Sequence, residues 1–263
     1  MTEQQAGQDR IFDGWAERFD QRIYAGNNPK GAIRQALIRR DLYEALPALD
    51  KGGLRILDIG GGLGQNAIWL AGLGHQVTLS EPSRDMRDHA QQRIKDAGCE
   101  VRLLPHTLQA FSAACPEQFD LVLCHAVLEW LAAPLQALDC FAPLLSGDGR
   151  LSLMFYNLHS AMMRSLVVGD FSRALSDNLG GDGIKRLAPI SPLVPQSVIA
   201  ALPEAGLQLL SHSGVRCFYD YMLPQVRAKA DTDSVIEAEL QLSRQDPWRP
   251  MARYQHLICK QAR

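Results

Sequence analysis

From residue 55 to residue 157 the chain alternates short apolar runs with longer amphipathic ones, and no other feature restricts its fold as much. The apolar runs at 55–59, 76–81, 100–104, 119–125 and 150–156 have the length and composition of strands. Between them, 64–73, 83–97 and 134–145 carry apolar residues at helical spacing. A strand separated from its successor by a helix, as in three of these four gaps, cannot pair with it through a tight hairpin. It must cross over, and right-handed crossovers build an α/β fold with a mostly parallel sheet and helices on both faces.

The rest of the chain is arranged around that core. Residues 1–50 are expected to form an amino-terminal helical segment that closes over a ligand as a lid. Phe12, Trp15 and Phe19 recur at helical spacing, as do Ile33, Leu37 and Ile38, on either side of a break at Gly26-Asn27-Asn28-Pro29. Residues 51–263 are expected to form the main domain, with an insertion at about 158–192. That insertion has a Met-rich helix at 158–175 and a loop carrying Gly180, Gly181, Gly183, Lys185 and Arg186. The alternation then resumes with a helix at 196–205, a strand at 207–218, a helix at 233–244 and a strand at 254–259.

Length and composition narrow the function classes. At 263 residues the chain suits one α/β domain with attachments. Its 46% hydrophobic and 21% charged residues are ordinary for a folded globular protein, and no apolar run approaches the roughly 20 residues of a bilayer span. A net charge of −2 argues against a uniformly basic surface while leaving room for a local patch. The 6 cysteines are scattered without CxxC spacing, so they read as buried reduced thiols and not as zinc ligands or disulfides. With a polar start at residues 1–10, the expected compartment is the cytoplasm.

The chemistry begins where the first strand ends. Asp58 closes an apolar run that passes into Gly60, Gly61, Gly62 and Gly64 before a helical pattern starts. Glycines there permit a tight strand-to-helix turn and let a ligand approach the main chain. Glu81 ends the second strand, where a carboxylate can accept hydrogen bonds from ribose hydroxyls. The stretch from Gly62 through Gly64 to Ala67 also fits the dinucleotide fingerprint, but that alignment leaves Gly60, Gly61 and Asp58 without a role. His125 ends the fourth strand at the same edge of the sheet. It is either a ligand contact or a histidine bonded to main chain. Tyr156 and Asn157 end the fifth strand and are candidates for positioning a substrate, although an amide there can simply cap the strand. Arg216, near the end of a later strand, is a candidate for meeting a carboxylate or phosphate.

The spacing Asp58-x-Gly60-x-Gly62-x-Gly64 resembles the glycine loop of class I, Rossmann-like methyltransferases. That resemblance implies S-adenosyl-L-methionine as cofactor, with Asp58 orienting its methionine end and Glu81 holding its ribose. Further blocks resemble one family, the bacterial tRNA 5-carboxymethoxyuridine methyltransferases. They are Lys30-Gly-Ala-Ile-Arg34, Gly74-His-Gln-Val77, His125-Ala-Val-Leu-Glu-Trp130, Leu151-Ser-Leu-Met-Phe-Tyr-Asn157, Gly169-Asp-Phe171 and Arg253-Tyr254. By position, the resemblance implies that Arg34, Gly60, Gly61, Glu81, Leu108 and His125 contact the cofactor. It further implies methylation of the carboxylate of 5-carboxymethoxyuridine at the tRNA wobble position; the sequence shows no metal-ligand constellation, so no metal is expected. The chain departs from the family in having Glu81 where aspartate is usual, and Gln109-Ala110 where an acidic residue often lies near the adenine.

A tRNA partner would be met at its anticodon stem-loop by basic side chains. The candidates are Arg39, Arg40, Arg227, Lys229, Arg244, Arg249 and, preferred for its reach, the pair Lys185 and Arg186. Two other functions fit the same sequence. Val127-Leu128-Glu129 and the low net charge suit a small-molecule O-methyltransferase acting on a quinone precursor. A catalytically silent cofactor-binding subunit would keep the same glycines and acids.

Overall fold

The structure, a computed structural model, describes residues 9–21, 29–114, 117–176, 179–181 and 189–262. Its centre is a seven-stranded sheet: β1 (Arg55–Ile59), β2 (Gln76–Ser80), β3 (Val101–Leu104), β4 (Phe119–His125), β5 (Leu145–Tyr156), β6 (Leu207–Val215) and β7 (Tyr254–Gln261). The spatial order is β3-β2-β1-β4-β5-β7-β6. The first five strands run parallel, and β7 lies antiparallel between β5 and β6. Strand order reverses between β1 and β4, and at such a switch point the loops leaving neighbouring strands diverge and open a crevice.

Helices α1 (Ala16–Phe19), α2 (Pro29–Ala45), α3 (Gln65–Gly72), α4 (Arg84–Asp96), α5 (Leu108–Ala114) and α6 (Leu158–Val167) surround the sheet. The central strands are buried on both faces because alternate side chains enter different cores. Leu57, Val122, Cys124, Leu153 and Phe155 pack with Phe111 and Phe141 on one side. Ile56, Leu121, Leu123, Met154 and Ile258 pack with Leu37, Leu42 and Leu70 on the other. Helix α2 is therefore built into the second core, and it also packs against β6, β7 and the helix Thr232–Leu242.

The segment before α2 straps across the sheet edge. Asp13 accepts hydrogen bonds from Ser83 Oγ (2.7 Å) and the Arg84 amide (2.9 Å), and the Ala16 amide donates to Asp85 (2.8 Å). Phe12, Trp15 and Phe19 close a small cluster on Ala16, Leu63 and Met86. The expected break at 26–28 lies outside the described residues.

Several expected elements are corrected. Residues 134–145 do not form an α-helix. They make two 3-10 turns, Gln136–Cys140 and Ala142–Leu144, and β5 starts at Leu145 instead of residue 150. Pro143 has no amide to donate to a helical ladder, which is one reason the local pattern fails. Helix α5 was not anticipated. The expected 158–175 helix is two, α6 and Phe171–Ala174, separated at Gly169 with φ +77°. Strand β6 stops at Val215 because Arg216 turns into the left-handed region at φ +61°. Among the described residues, no helix is long and apolar enough to cross a membrane.

Candidate functional site

The cavity opens at the switch point. Asp58 leaves β1 buried at 1% exposure, and neither of its carboxylate oxygens has a hydrogen bond of ordinary geometry. Burial, reinforced by the charge of Glu81 and only partly opposed by the Ala67 amide, pushes its carboxyl up to about 7. The loop that follows needs glycine where it touches its neighbours. A Cβ on Gly61 would lie 2.6 Å from Asp58 Oδ2 and 2.4 Å from Leu79 Cδ1, and one on Gly60, at φ +62°, would lie 2.5 Å from Val127 Cγ2.

Glu81 braces that loop from the exit of β2. Its Oε2 accepts from the Gly62 amide (3.1 Å) and its Oε1 from the Ser83 amide (3.0 Å). Burial raises its pKa, and those two amides and Arg87 work against the shift. The carboxylate thus sits at the cavity wall already oriented by main chain.

The facing wall comes from α2, β4 and the turn after β4. Arg34 Nη2 donates to Gln65 Oε1 at 3.3 Å. His125 contacts Asn66 Nδ2 through Nδ1 (3.3 Å) and Ser152 Oγ through Nε2 (2.8 Å). Burial holds the ring pKa well below its ordinary value, and His256 and Arg34 lower it further, so the imidazole is neutral. Ala126 follows with φ +58°, a strained conformation for a residue with a Cβ, and its amide donates to Met154 O at 2.7 Å. The 3-10 turn Leu128–Trp130 then brings Glu129 to the wall at 1% exposure. Burial pushes this carboxyl up to about 8, its own amide and that of Tyr156 opposing, and Oε2 has no partner. The acid is therefore mostly protonated near neutral pH and presents a hydroxyl donor.

One cavity collects Arg34, Asp58, Gly60, Gly61, Glu81, Leu108, His125 and Tyr156. Two candidates for substrate positioning are elsewhere. Asn157 is fully buried, donates to Pro250 O and Ala252 O (2.8 Å each), and caps α6 by accepting from the His159 amide at 3.0 Å. Arg216 pairs with Asp220 at 2.9 Å and lies over the Tyr254 ring, outside the cavity lining. Arg40 and Arg244, expected at a tRNA surface, instead turn onto buried Asp41 at 2.8 and 2.6 Å. Lys185 and Arg186 lie outside the described residues. No group of 3 or more His, Cys, Asp or Glu side chains among the described residues is placed to hold a metal.

The sequence reading missed part of the wall. Glu129 entered only as part of the Val127-Leu128-Glu129 stretch, with no role of its own, and Asp9, Arg10, Ile11 and Phe12 also line the cavity. These rim residues are held by Asp9, which accepts from the Ala132 amide (2.9 Å) and from Gln109 (3.0 Å), and by Phe12, edge-on to Trp130 at 4.7 Å. The aromatic spacing of Phe12, Trp15 and Phe19 was the available signal; it suggested a helical face, whereas only Ala16–Phe19 is helical, and it did not say what the aromatics cover.

Chemically, the cavity offers a hydrogen-bonded carboxylate at Glu81, an unpaired one at Asp58, a guanidinium at Arg34 and an apolar stretch around Leu108. That set suits an extended ligand with vicinal hydroxyls, an ammonium–carboxylate end and a flat apolar base.

Comparison with known proteins gives the same picture. Residues 57–151 match the model of a methyltransferase domain family. The chain is 36% identical to the tRNA 5-carboxymethoxyuridine methyltransferase of Escherichia coli (strain K12) over 255 residues, which is 96% of this chain and 97% of that protein. It is 30% identical over 173 residues to a ubiquinone biosynthesis O-methyltransferase of Xanthomonas euvesicatoria pv. vesicatoria, covering 64% of this chain and 68% of the other. In fold it resembles the magnesium protoporphyrin IX methyltransferase of Synechocystis PCC 6803 solved with bound SAH. The TM-score is 0.64 at 16% identity, with 95% of this chain and 96% of that one covered.

Proposed function

The chain belongs to the tRNA 5-carboxymethoxyuridine methyltransferase family, and on that premise we propose how its cavity carries out the family's reaction. The protein is a methyltransferase that uses S-adenosyl-L-methionine to methylate the carboxylate of 5-carboxymethoxyuridine at the tRNA wobble position, giving the methyl ester. The observation that carries the cofactor assignment is Asp58, a buried carboxyl group with no hydrogen bond of ordinary geometry, beside a turn that needs glycine at Gly60 and Gly61. A buried polar group left without a partner is costly, and a ligand with an ammonium group would remove the cost.

When bound, the cofactor supplies a methyl group on a positively charged sulfur. The protein's own residues do the rest. Asp58 and the glycine loop hold the amino-acid end, with Arg34 offering donors to its carboxylate. Glu81 keeps acceptor capacity for ribose hydroxyls, and Leu108 borders the base. Because Gln109-Ala110 carries no acid there, apolar packing and main chain recognise the adenine. Residues 9–21 cover the rim and act as the lid, excluding water from the reacting groups.

The acceptor is itself a carboxylate, ionised at neutral pH with a reference pKa near ~4, so no general base is required. The site's task is to desolvate it and align it. Tyr156, at 6% exposure in the cavity lining, and the neutral acid of Glu129 are placed to donate to such an oxygen. The tRNA is gripped at its anticodon stem-loop, with Lys185 and Arg186 as the preferred phosphate contacts, and such a substrate puts the activity in the cytoplasm.

Labelled cofactor incubated with bulk tRNA and, separately, with quinone precursors tests the assignment. Label should enter tRNA and be released by mild alkali, as an ester requires. Alkali-stable label in tRNA, or label in the phenols alone, would reject it. In the same assay K185A/R186A should bind tRNA with a shallower salt dependence, by roughly one charge per lost phosphate contact, and with cofactor binding intact.

A further inference from the structure

We propose that a circuit of hydrogen bonds, leaving α2 at the cavity wall and returning to it through α3, β4, β5 and β7, fixes His125 as its Nε2–H tautomer and so positions Arg34 and His125 together. The functional part of this rests on the cofactor assignment above; the tautomer itself does not.

At one end stands Asp41 of α2, 1% exposed. Its Oδ1 accepts from Arg40 (2.8 and 3.0 Å), Arg244 (2.6 Å) and Ser213 Oγ (3.1 Å). Its Oδ2 faces His256 Nδ1 at 2.7 Å. Burial alone would raise the Asp41 pKa, but His256 and Arg40 outweigh it and hold the carboxyl well below the usual range. An ionised carboxylate only accepts, so His256 Nδ1 carries a proton.

At the other end stands Arg34, which only donates. It gives Nη2–H to Gln65 Oε1, and Gln35 Nε2 gives to the same oxygen (3.2 Å) and to Asn66 Oδ1 (3.1 Å). Arg34 thereby sets the orientation of the Gln65 amide, Gln65 that of Gln35, and Gln35 that of Asn66. Asn66 is left with Nδ2–H toward His125 Nδ1, which must be bare to accept it. His125 is neutral, so its proton is on Nε2, directed at Ser152 Oγ at 2.8 Å. Ser152 has one proton to give, and it goes to His256 Nε2 at 2.7 Å.

Arg34 and Gln35 converge on Gln65 Oε1, from Gln35 onward every donor points toward Asp41, and no donor faces a donor. The reverse direction would place His125 Nδ1–H against the Asn66 amide hydrogens. Ser152 and His256 are fully buried, so water does not compete with the bonds between Ser152, His256 and Asp41. Both nitrogens of His125 are spent inside the protein, and it meets a ligand in the cavity through ring carbons. It is a wall with a fixed position, and Ser152, His256 and Asp41 are positioning residues.

The test reads ring nitrogens directly. In ¹⁵N-histidine-labelled, ligand-free protein, two-bond proton–nitrogen spectra should show His125 protonated on Nε2 and His256 on Nδ1, opposite tautomers in adjacent rings. His125 protonated on Nδ1 overturns the proposal. Ser152→Ala should mix the His125 tautomers and weaken binding of S-adenosylhomocysteine about tenfold by calorimetry, the scale of one buried hydrogen bond. Ser152→Thr, which keeps the hydroxyl, should restore both. A Ser152→Ala protein with unchanged tautomers and affinity also overturns it. Wild-type protein that shows the two tautomers but does not bind the nucleoside would sink the cofactor assignment alone.

Discussion

Two aspartates, Asp58 at the mouth of β1 and Asp41 in the seam between α2 and β5–β7, are equally buried, at 1% exposure each, and are treated in opposite ways. Asp41 is met by two arginines, a histidine and a serine, and its pKa is driven down. Asp58 is met by no hydrogen bond of ordinary geometry and its pKa is driven up, to about 7. A buried charge with its partners in place is part of the scaffold. One whose partners are missing marks the place a ligand completes. The contrast separates two places in the molecule, the turn after β1 keeping Asp58 unsatisfied for use and the α2 seam neutralising Asp41.

The strongest challenge to that contrast is Asp41→Ala. It strands His256, Arg40 and Arg244 in the seam, and losing one partner of a buried ionic group costs about 3–5 kcal/mol. Urea unfolding should show a loss of that size; a loss under about 1 kcal/mol, the scale of an exposed pair, would mean that the seam is not a scaffold element.

Next in size is Gly61→Ala. Its Cβ would displace the Asp58 carboxylate and Leu79, and a displacement of about 1 Å in such a site can cost about 100-fold in rate. The measurement is kcat/KM for tRNA methylation, with folding checked by circular dichroism. Near-wild-type turnover would show that Asp58 need not stay where it is.

The subtlest is the pH dependence of stability. Asp58 has a folded pKa of about 7 against about 3.9 unfolded, so the folded state holds the extra proton between those values. Its contribution is fully present below about pH 4 and is lost as pH rises toward about 7. Asp41, with its pKa depressed, contributes in the opposite sense, losing stability as pH falls through the acid range. Asp58→Asn should therefore flatten the decline in unfolding free energy between about pH 4 and about pH 7 while weakening cofactor binding. An unchanged slope would show that Asp58 is ionised in the free protein.

The parallel half was largely legible because its chemistry is local. The turn after β1 needs glycine for its own backbone, and Glu81 stands where its strand stops, so both can be seen in neighbouring residues. The seam was not legible. Asp41 and His256 are 215 residues apart, and Arg40 and Arg244 had looked like surface arginines because nothing in their own neighbourhoods says otherwise. Tyr156 and Asn157 show how one position changes the outcome. Adjacent at a strand end, they looked alike, yet the first lines the cavity and the second spends its amide on main chain.

By itself the sequence determined the alternating α/β order, the glycine turn and the acids at the strand exits, because each follows from backbone geometry over a few residues. Tertiary structure alone decided which of those acids is paired, which arginine turns inward and which tautomer His125 takes. A buried group's charge and proton position depend on what the distant chain brings within hydrogen-bond reach, and no local pattern encodes that distance.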